Sequence, residues 1–218
     1  MGGFIQGIYD IDVAILQFIV DNLKNPVLDV IMRVITLFGE GGIFWIVCSV
    51  VCLAFPKTRK MGLTMGVALL LGVTIGNGII KNAVARHRPY ELEQFKDYLI
   101  VGKLSDWSFP SGHTLASFEA SVSIFFYSKK WGAASLVLAF LVAVSRLYLV
   151  VHFPSDVIGG ALLGTLFAVI AYILVKWLYN KFSLESRLMF RFEKNRALKK
   201  AAAAEETAEP EETEEAGE

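Results

Sequence analysis

The sequence predicts an all-α protein built as a polytopic membrane helix bundle, and its composition and patterning carry that prediction. Hydrophobic residues make up 55% of the 218 residues and charged residues only 19%. The apolar residues occur in long blocks and not at the intervals of an amphipathic helix, which is typical of a chain that has lipid as its solvent. Lys and Arg collect at the ends of these blocks. A chain of this length gives no reason to expect a second large domain.

Five segments are apolar and long enough to be transmembrane helices, since a hydrocarbon core is crossed by about 20 helical residues and shorter spans are tolerated. They lie at 41–56, 61–80, 111–128, 131–150 and 157–178. The segment 61–80 contains no charged residue. We therefore expect residues 41–180 to form the membrane-embedded core.

Residues 1–40 form a separate N-terminal segment. Its apolar run from Ile11 to Leu23 is interrupted by Asp12 and Asp21 and is short for a buried transmembrane helix. No basic residue precedes Lys24, so a secretory signal peptide is not indicated. Pro26 ends one helix and can begin another. We expect two helices that lie at the outer membrane interface, and a sixth transmembrane helix is the alternative.

The C-terminal part consists of two segments of different charge. Basic residues alternate with apolar residues over 181–200, which favours an interfacial helix. Residues 201–218 contain eight Glu and no Lys or Arg, a composition typical of a disordered tail. The formal net charge of zero therefore hides a basic body and an acidic tail. No stripe of basic and aromatic residues is present, so we do not expect a nucleic-acid partner.

The Lys and Arg residues of the short connections predict the orientation of the bundle, because such residues are retained on the cytoplasmic side. Two connections carry them, with Lys57, Arg59, Lys60, Lys129 and Lys130. Alternation then places the 81–110 loop and the 151–156 connection outside and the acidic tail inside. We therefore expect a multi-pass protein of the plasma membrane whose extracytoplasmic face carries these two loops.

The first polar cluster runs from Lys81 to Pro89, at the outer end of a predicted span. Ionisable groups at membrane depth are costly, and their presence suggests a function. Lys81 and Arg88 are seven residues apart, which is two helical turns, so both can project from one face towards one anion. The planar guanidinium of Arg88 suits phosphate oxygens. For this cluster taken alone, a basic membrane anchor is the alternative.

The second cluster, Pro110-Ser111-Gly112-His113, stands directly before an apolar run and predicts a helix start. Ser111 is a favoured N-cap, and Gly112 lets a ligand approach the backbone. The free N–H groups at a helix N-terminus can bind an anion. His113 in the first turn would face that anion and act as a proton donor.

The third cluster consists of Ser145-Arg146, His152 and Asp156. His152 and Asp156 are four residues apart, and Pro154 between them suits the first turn of a helix. The carboxylate can therefore reach the imidazole and fix its tautomer and orientation. An imidazole oriented in this way, with Arg146 nearby, meets the requirements of a nucleophile.

Taken together, the three clusters resemble the signature of the type 2 phosphatidic acid phosphatase (PAP2) superfamily. That signature reads Lys-x6-Arg-Pro, Pro-Ser-Gly-His and Ser-Arg-x5-His-x3-Asp, and every specified position is matched between Lys81 and Asp156. The resemblance implies a phosphate held by Lys81, Arg88, Ser111, Gly112 and Arg146. It implies further that His152 attacks the phosphate through a phosphohistidine intermediate, that His113 protonates the leaving oxygen and that Asp156 orients His152. No metal and no cofactor are expected.

The expected function is that of a membrane phosphatase that hydrolyses a lipid phosphate or diphosphate, either a polyprenyl diphosphate or a phosphatidic-acid-like lipid. The expected partners are this lipid and the membrane, and no oligomeric state is predicted. A lipid phosphotransferase on the same fold and a non-catalytic protein that binds lipid phosphate are the alternatives. Vanadium haloperoxidases carry a similar signature, but they are soluble enzymes.

Five residues outside the signature carry separate expectations. Arg86 and His87 are expected to be exposed, and a position at the mouth of the site is the alternative. Glu119 lies within a predicted span and is expected to face the bundle interior or a wet cavity. Cys48 and Cys52 are expected to be small apolar packing residues.

Overall fold

The computed structural model describes residues 2–182, 194 and 196–198. Every secondary-structure element assigned in this part of the chain is helical. The predicted all-α class is therefore confirmed.

The chain divides into two compact units, residues 1–175 and residues 176–218. The first unit contains the helix bundle and every predicted site residue. In the second unit the last helix of the bundle continues to Lys181. The basic helix predicted at 181–200 and the acidic tail predicted at 201–218 lie outside the described residues, apart from a few helical positions in the former.

Eight α-helices follow one another in the described part of the chain. They are α1 (Gly2–Leu23), α2 (Pro26–Leu37), α3 (Ile43–Ala54), α4 (Arg59–Leu71), α5 (Lys81–Val84), α6 (Gly112–Tyr127), α7 (Lys129–Tyr148) and α8 (Pro154–Lys181). A π-helix at Gly72–Ile80 joins α4 directly to α5, and a short 3₁₀ turn at Glu40–Gly42 leads into α3.

Five helical stretches of the described chain are long and apolar enough to cross a membrane. They are Gly2–Leu23, Pro26–Ala54, Arg59–Glu91, Lys129–Tyr148 and Pro154–Lys181. The number agrees with the prediction, but the set of segments differs. Helix α1 has the length of a span at 22 residues, whereas α6, predicted at 111–128, has only 16. The interfacial position of residues 1–40 stays a prediction.

Helix α6 lies at the centre of the bundle and is surrounded by other helices. It packs against α3, α4, α7 and the π-helix. Its polar side chains are buried among these neighbours, and they include Ser117, Glu119, Ser121 and Ser123. A helix that faces protein on most sides does not need the uniform hydropathy of a helix that faces lipid.

The break between α1 and α2 lies where the sequence predicted it. The Asn25 side chain caps α2 by accepting a hydrogen bond from the N–H of Leu28 at 2.9 Å, and Pro26 occupies the first helical turn. Both residues suit these positions, because the cap supplies a missing acceptor and proline has no N–H to satisfy.

One part of the core lies between α3, α4 and α6. Trp45, Met65, Leu69 and Ala120 form a buried apolar cluster there. The indole N–H of Trp45 donates to the hydroxyl of Ser117 at 3.0 Å, which satisfies the polar end of a fully buried ring. Leu69 of this cluster also lines the cavity of the candidate site.

A second part of the core ties α1 to the loops of the site. Leu16 and Val20 of α1 pack with Phe95, Val150 and Phe153 in one buried cluster. Two of these residues belong to the connection between α7 and α8, which also carries the predicted nucleophile. Helix α1 is therefore packed against the functional part of the molecule.

At Gly132 helix α7 lies so close to α6 that we expect any side chain there to lower the stability of the bundle. A Cβ at Gly132 would lie 2.2 Å from the Cα of Phe125, so the obstacle is backbone. We expect Gly132→Leu to destabilise the bundle by about 1–3 kcal/mol or more, the usual range for overpacking. Thermal unfolding of the purified protein in detergent measures the change.

Gly102→Leu is the matched control, since nothing lies within 4 Å of a Cβ at that position. Equal unfolding midpoints for the two variants would contradict the tight contact between α6 and α7.

Candidate active site

The three polar clusters of the sequence meet around one cavity of about 360 Å³. Six predicted site residues line it, namely Lys81, Arg88, Gly112, His113, Arg146 and His152. The remaining two, Ser111 and Asp156, are fully buried beside it. The structure thus brings together all eight residues that the sequence singled out.

His152 lies in the connection between α7 and α8 and is 1% exposed. Its Nδ1 is 3.7 Å from Oδ2 of Asp156, and its Nε2 is 3.4 Å from Nη1 of Arg88. The ring is thus oriented with Nδ1 towards the carboxylate and Nε2 towards the cationic part of the cavity. Burial lowers the pKa of His152 and the charges of Arg146 and Arg88 add to this, which together outweigh the opposite effect of Asp156. The imidazole is therefore neutral at neutral pH, as a nucleophile requires.

Asp156 lies in the first turn of α8, and both of its carboxylate oxygens accept hydrogen bonds. Oδ2 accepts from the hydroxyl of Ser108 at 2.5 Å and from the N–H of Phe153 at 2.8 Å. Oδ1 accepts from Nη1 of Arg86 at 2.6 Å. The carboxylate cannot rotate away from His152 without losing these bonds. Ser108 also lies 3.4 Å from Nδ1 of His152, so its hydroxyl sits between the two partners.

Lys81 and Arg88 are held side by side by Asp106, a residue that the sequence analysis missed. Asp106 accepts from Nζ of Lys81 at 2.5 Å and from Nη2 of Arg88 at 2.7 Å. Partial burial alone would raise the pKa of Asp106, but the hydrogen bonds and charges of Lys81 and Arg88 outweigh it and lower that pKa to about 2. The group is therefore a carboxylate that fixes the spacing of two cations.

The guanidinium of Arg88 is buried and bonded on every side that faces protein. Its Nε donates to the carbonyl of Asp106 at 2.8 Å and its Nη1 to the carbonyl of Val151 at 2.8 Å. A fork held in this way keeps its positive charge in a fixed position at the edge of the cavity.

Arg146, near the end of α7, reaches the cavity from the opposite side. It is 3% exposed, and Nη1 donates to the hydroxyl of Thr36 at 2.6 Å. Its buried Nε has no hydrogen-bond partner. A buried guanidinium with an unused donor is suited to an anion that enters the cavity.

Ser111 is the N-cap residue of α6, as predicted, but its side chain does not cap the helix by a hydrogen bond. Its hydroxyl accepts from that of Thr114 at 3.0 Å, and its N–H donates to the carbonyl of Asp156 at 3.1 Å. Ser111 thus ties the start of α6 to the start of α8. The first turn of α6 then points its N–H groups at the cavity.

His113 is paired with Glu40, which the sequence analysis also missed. Nε2 of His113 lies 3.2 Å from Oε2 of Glu40, in the turn between α2 and α3. Gly39 makes this approach feasible, because a Cβ there would lie 2.7 Å from Cδ2 of His113. The carboxylate of Glu40 is thus within hydrogen-bonding distance of the ring and can orient it.

Arg86 corrects one expectation of the sequence analysis. His87 is exposed as expected, but the side chain of Arg86 is only 21% exposed. Its Nη1 bonds Asp156 and Ser155, both at 2.6 Å, and its guanidinium stacks on Phe153 with 4.1 Å between Cζ and the ring centroid. The sequence could not show this, because the partners lie about 70 residues away.

Asp12 completes this arrangement from α1. It is 2% exposed, and Oδ2 accepts from Nη2 of Arg86 at 2.7 Å while Oδ1 accepts from the N–H of Ser155 at 2.8 Å. A carboxylate within an apolar helix was the available signal. The sequence analysis interpreted it as evidence against a buried helix, whereas it is satisfied by Arg86.

Among the described residues, no group of three or more His, Cys, Asp or Glu is arranged to hold a metal ion. The positive charge at the cavity comes from Lys81, Arg88 and Arg146. Fold and site together thus define a class of protein, a helical membrane protein with an oriented histidine beside three cations in a cavity suited to phosphate.

Comparisons with known proteins agree with this class. Residues 60–180 match the model of the PAP2 superfamily. The chain is 36% identical over 122 residues to an undecaprenyl-diphosphatase of Sulfolobus acidocaldarius, and the match covers 56% of this chain and 58% of that relative. It is 30% identical over 175 residues to the bacitracin transport permease protein BcrC of Bacillus licheniformis, covering 79% of this chain and 80% of that one.

Two solved structures have the same fold. A transmembrane PAP2 type phosphatidylglycerolphosphate phosphatase from Bacillus subtilis superposes with a TM-score of 0.64 and 29% identity, covering 80% of this chain and 87% of that one. LpxE from Aquifex aeolicus superposes with a TM-score of 0.58 and 26% identity, covering 73% and 93%. The chain belongs to the PAP2 superfamily, and its fold is that of the membrane phosphatases of this superfamily.

The contacts of Asp12 and Arg86 predict that α1 is needed for catalysis. Asp12→Asn weakens the ion pair with Arg86, and Arg86 in turn positions Asp156. We therefore expect phosphatase kcat to fall about 10- to 100-fold, the range for a lost charged hydrogen bond. KM should change little, because neither residue lines the cavity. Steady-state phosphate release from a lipid phosphate in detergent separates the two parameters.

Asp21→Asn on the same helix is the control, since Asp21 is exposed and bonds only Gln17 among the contacts described for it. Arg86→Lys combined with Asp12→Asn should lose little more than either change alone, because both act on Asp156. Full activity of Asp12→Asn would refute the role of α1.

Proposed function

We propose that this protein hydrolyses a polyprenyl diphosphate by attack of His152 on the terminal phosphorus, through a phosphohistidine intermediate. The observation that carries the proposal is the orientation of His152, with Nδ1 facing Asp156 and Nε2 beside Arg88 in the cavity. A neutral imidazole in that position has its lone pair directed at a bound phosphate.

The first chemical step forms one bond and breaks another at phosphorus. The lone pair on Nε2 of His152 bonds to phosphorus while the bond from phosphorus to the leaving oxygen breaks. His113 gives its proton to that oxygen, which departs with the lipid. Asp156 stabilises the positive charge that develops on His152.

The second step returns the enzyme to its starting state. Water attacks the phosphohistidine and His113, now a base, accepts a proton from it. The N–P bond breaks with its electron pair returning to His152, and inorganic phosphate leaves. A lipid acceptor in place of water would make the protein a phosphotransferase, so the acceptor alone separates these two activities.

Three cations stabilise the transition state in this scheme. Lys81, Arg88 and Arg146 are directed at the oxygens that carry charge when phosphorus is five-coordinate. Because these groups are already fixed by Asp106, Thr36 and backbone carbonyls, they do not reorganise during the reaction. The scheme therefore uses no metal ion.

The relatives support a polyprenyl diphosphate as the substrate, since one at 36% identity and another at 26% are both named undecaprenyl-diphosphatase. A phosphatidic-acid-like substrate is the second candidate, supported by the fold shared with the phosphatidylglycerolphosphate phosphatase. Both lipids present a terminal phosphate at the membrane surface, as the cavity requires.

The proposed mechanism predicts a large effect of replacing His152. We expect His152→Asn to lower the rate of phosphate release from farnesyl diphosphate in detergent by at least about 1,000-fold, because covalent chemistry depends on this side chain. Rapid quenching of the wild-type reaction with labelled substrate should yield protein-bound phosphate that is stable in alkali and labile in acid.

His87→Asn serves as the control, because the His87 side chain is 77% exposed. Near-normal turnover by His152→Asn would eliminate the nucleophile, and turnover in wild type without trapped phosphate on His152 would eliminate the intermediate.

Another prediction concerns the side of the membrane to which the cavity opens. We propose that the site opens to the extracytoplasmic face, since the basic connections mark the opposite side. Lys103 and Lys130 are both exposed, one in the loop of the site and one at the start of α7. In a background without Cys48 and Cys52, Lys103→Cys should react with an impermeant thiol reagent in intact cells and Lys130→Cys should not. Labelling at position 130 but not at position 103 would show that the orientation is the reverse of the one proposed.

A further inference from the structure

The cavity extends beyond the residues that hold phosphate. It continues along one face of α6, lined by Gly112, Leu115, Ala116 and Glu119 at the spacing of successive helical turns. The opposite wall is the end of α4 and the π-helix, with Leu69, Gly72, Val73 and Asn77. None of these residues belongs to the phosphate-binding set except Gly112.

Glu119 lies at the inner end of this extension. It is 1% exposed, and its Oε1 has no hydrogen-bond partner. A Cβ on Gly72 would lie 2.2 Å from that oxygen, so the carboxyl occupies space that only a glycine leaves open. An unpaired buried carboxyl in a membrane bundle is costly, and no packing requirement of α6 accounts for it.

Asn77 presents a second unpaired group to the same space. Its Oδ1 is buried without a partner, next to the start of α6, where a Cβ on Gly112 would lie 3.2 Å from it. In a π-helix, residues five apart lie one turn above the other, so Asn77 stands one turn above Gly72 and hence above Glu119. Lys81 follows Asn77 by about one more turn. The order along the cavity is therefore phosphate, Asn77, Glu119.

We propose that Asn77 and Glu119 form a second polar subsite that binds a hydroxyl group of the lipid close to its phosphate, as in a glycerol linker. This inference rests on the proposed hydrolysis of lipid phosphates and refines its substrate range. Both unpaired atoms are oxygens that accept hydrogen bonds, so the ligand must supply a donor. Among the atoms near a lipid phosphate, a glycerol hydroxyl has such a donor, while a polyprenyl chain and an acyl ester have none.

The physical consequence is discrimination by a buried hydrogen bond. A substrate hydroxyl donates one hydrogen bond to the oxygens of the subsite, and a substrate without a hydroxyl leaves both oxygens without a donor. Polyprenyl diphosphates still bind through their phosphates, but they gain nothing at Asn77 and Glu119. Within the second candidate class of the proposed function, the glycerol-based phosphates, the subsite therefore favours those whose linker keeps a free hydroxyl.

The test uses two substrates that differ by one group, 1-oleoyl lysophosphatidic acid and its 2-deoxy analogue. For the wild-type protein in detergent we expect kcat/KM to be about tenfold higher with the hydroxyl present. Glu119→Leu and Asn77→Leu should each bring this ratio close to one, and Glu119→Gln should retain most of it. The comparison within one protein cancels differences in folding and active fraction.

Ser121→Ala is the matched control. Ser121 is on the same helix and its buried hydroxyl also lacks a partner, but it does not line the cavity. It should keep the wild-type ratio. A wild-type ratio of one, a ratio that survives Glu119→Leu, or a protein that hydrolyses neither lysolipid would overturn the subsite and point to a trapped water instead. Farnesyl diphosphate is assayed in parallel, since loss of its hydrolysis tests the proposed function separately.

Discussion

The structure depends on the way in which the carboxylate of Asp156 is held. One oxygen is bonded by Arg86 at 2.6 Å, and the other by Ser108 at 2.5 Å and by the backbone of Phe153 at 2.8 Å. Arg86 and Ser108 belong to the loop between α5 and α6, and Phe153 belongs to the connection between α7 and α8. Asp12 of α1 in turn bonds Arg86. A single carboxylate thus fixes the relative positions of α1, the loop before α6 and the start of α8. The orientation of His152 follows from it.

The second constraint is electrostatic. Three cations lie around a cavity of about 360 Å³ among buried side chains, where like charges repel more strongly than in water. Asp106 offsets part of this repulsion by bonding Lys81 and Arg88, and Glu40 faces His113. Arg146 and the N-terminal residues of α6 both line this cavity, and each favours an anion such as a phosphate group.

The backbone of the central region is shaped by small residues. Gly72 and Gly76 in the π-helix let α6 approach so closely that a Cβ at either position would come within 2.5 Å of a side chain of α6. Such contacts are the usual means by which helices associate where no water is displaced. The π-helix also turns Asn77 and Lys81 towards the same cavity, so the packing device and the site are one feature.

The sequence by itself determined the all-α class and the number of apolar stretches, and it singled out eight residues that the fold brings together at one cavity. Hydropathy, proline position and motif spacing are local properties and can be read without the fold. The sequence did not determine which helices form the five long stretches, since α6 is buried by its neighbours and α1 is anchored by Asp12. Only the tertiary structure showed which further residues contact the predicted site, namely Asp106, Ser108, Glu40 and Arg86. Asp12 and Arg86 are 74 residues apart, and only the fold decides whether a carboxylate in an apolar helix meets water, lipid or a guanidinium.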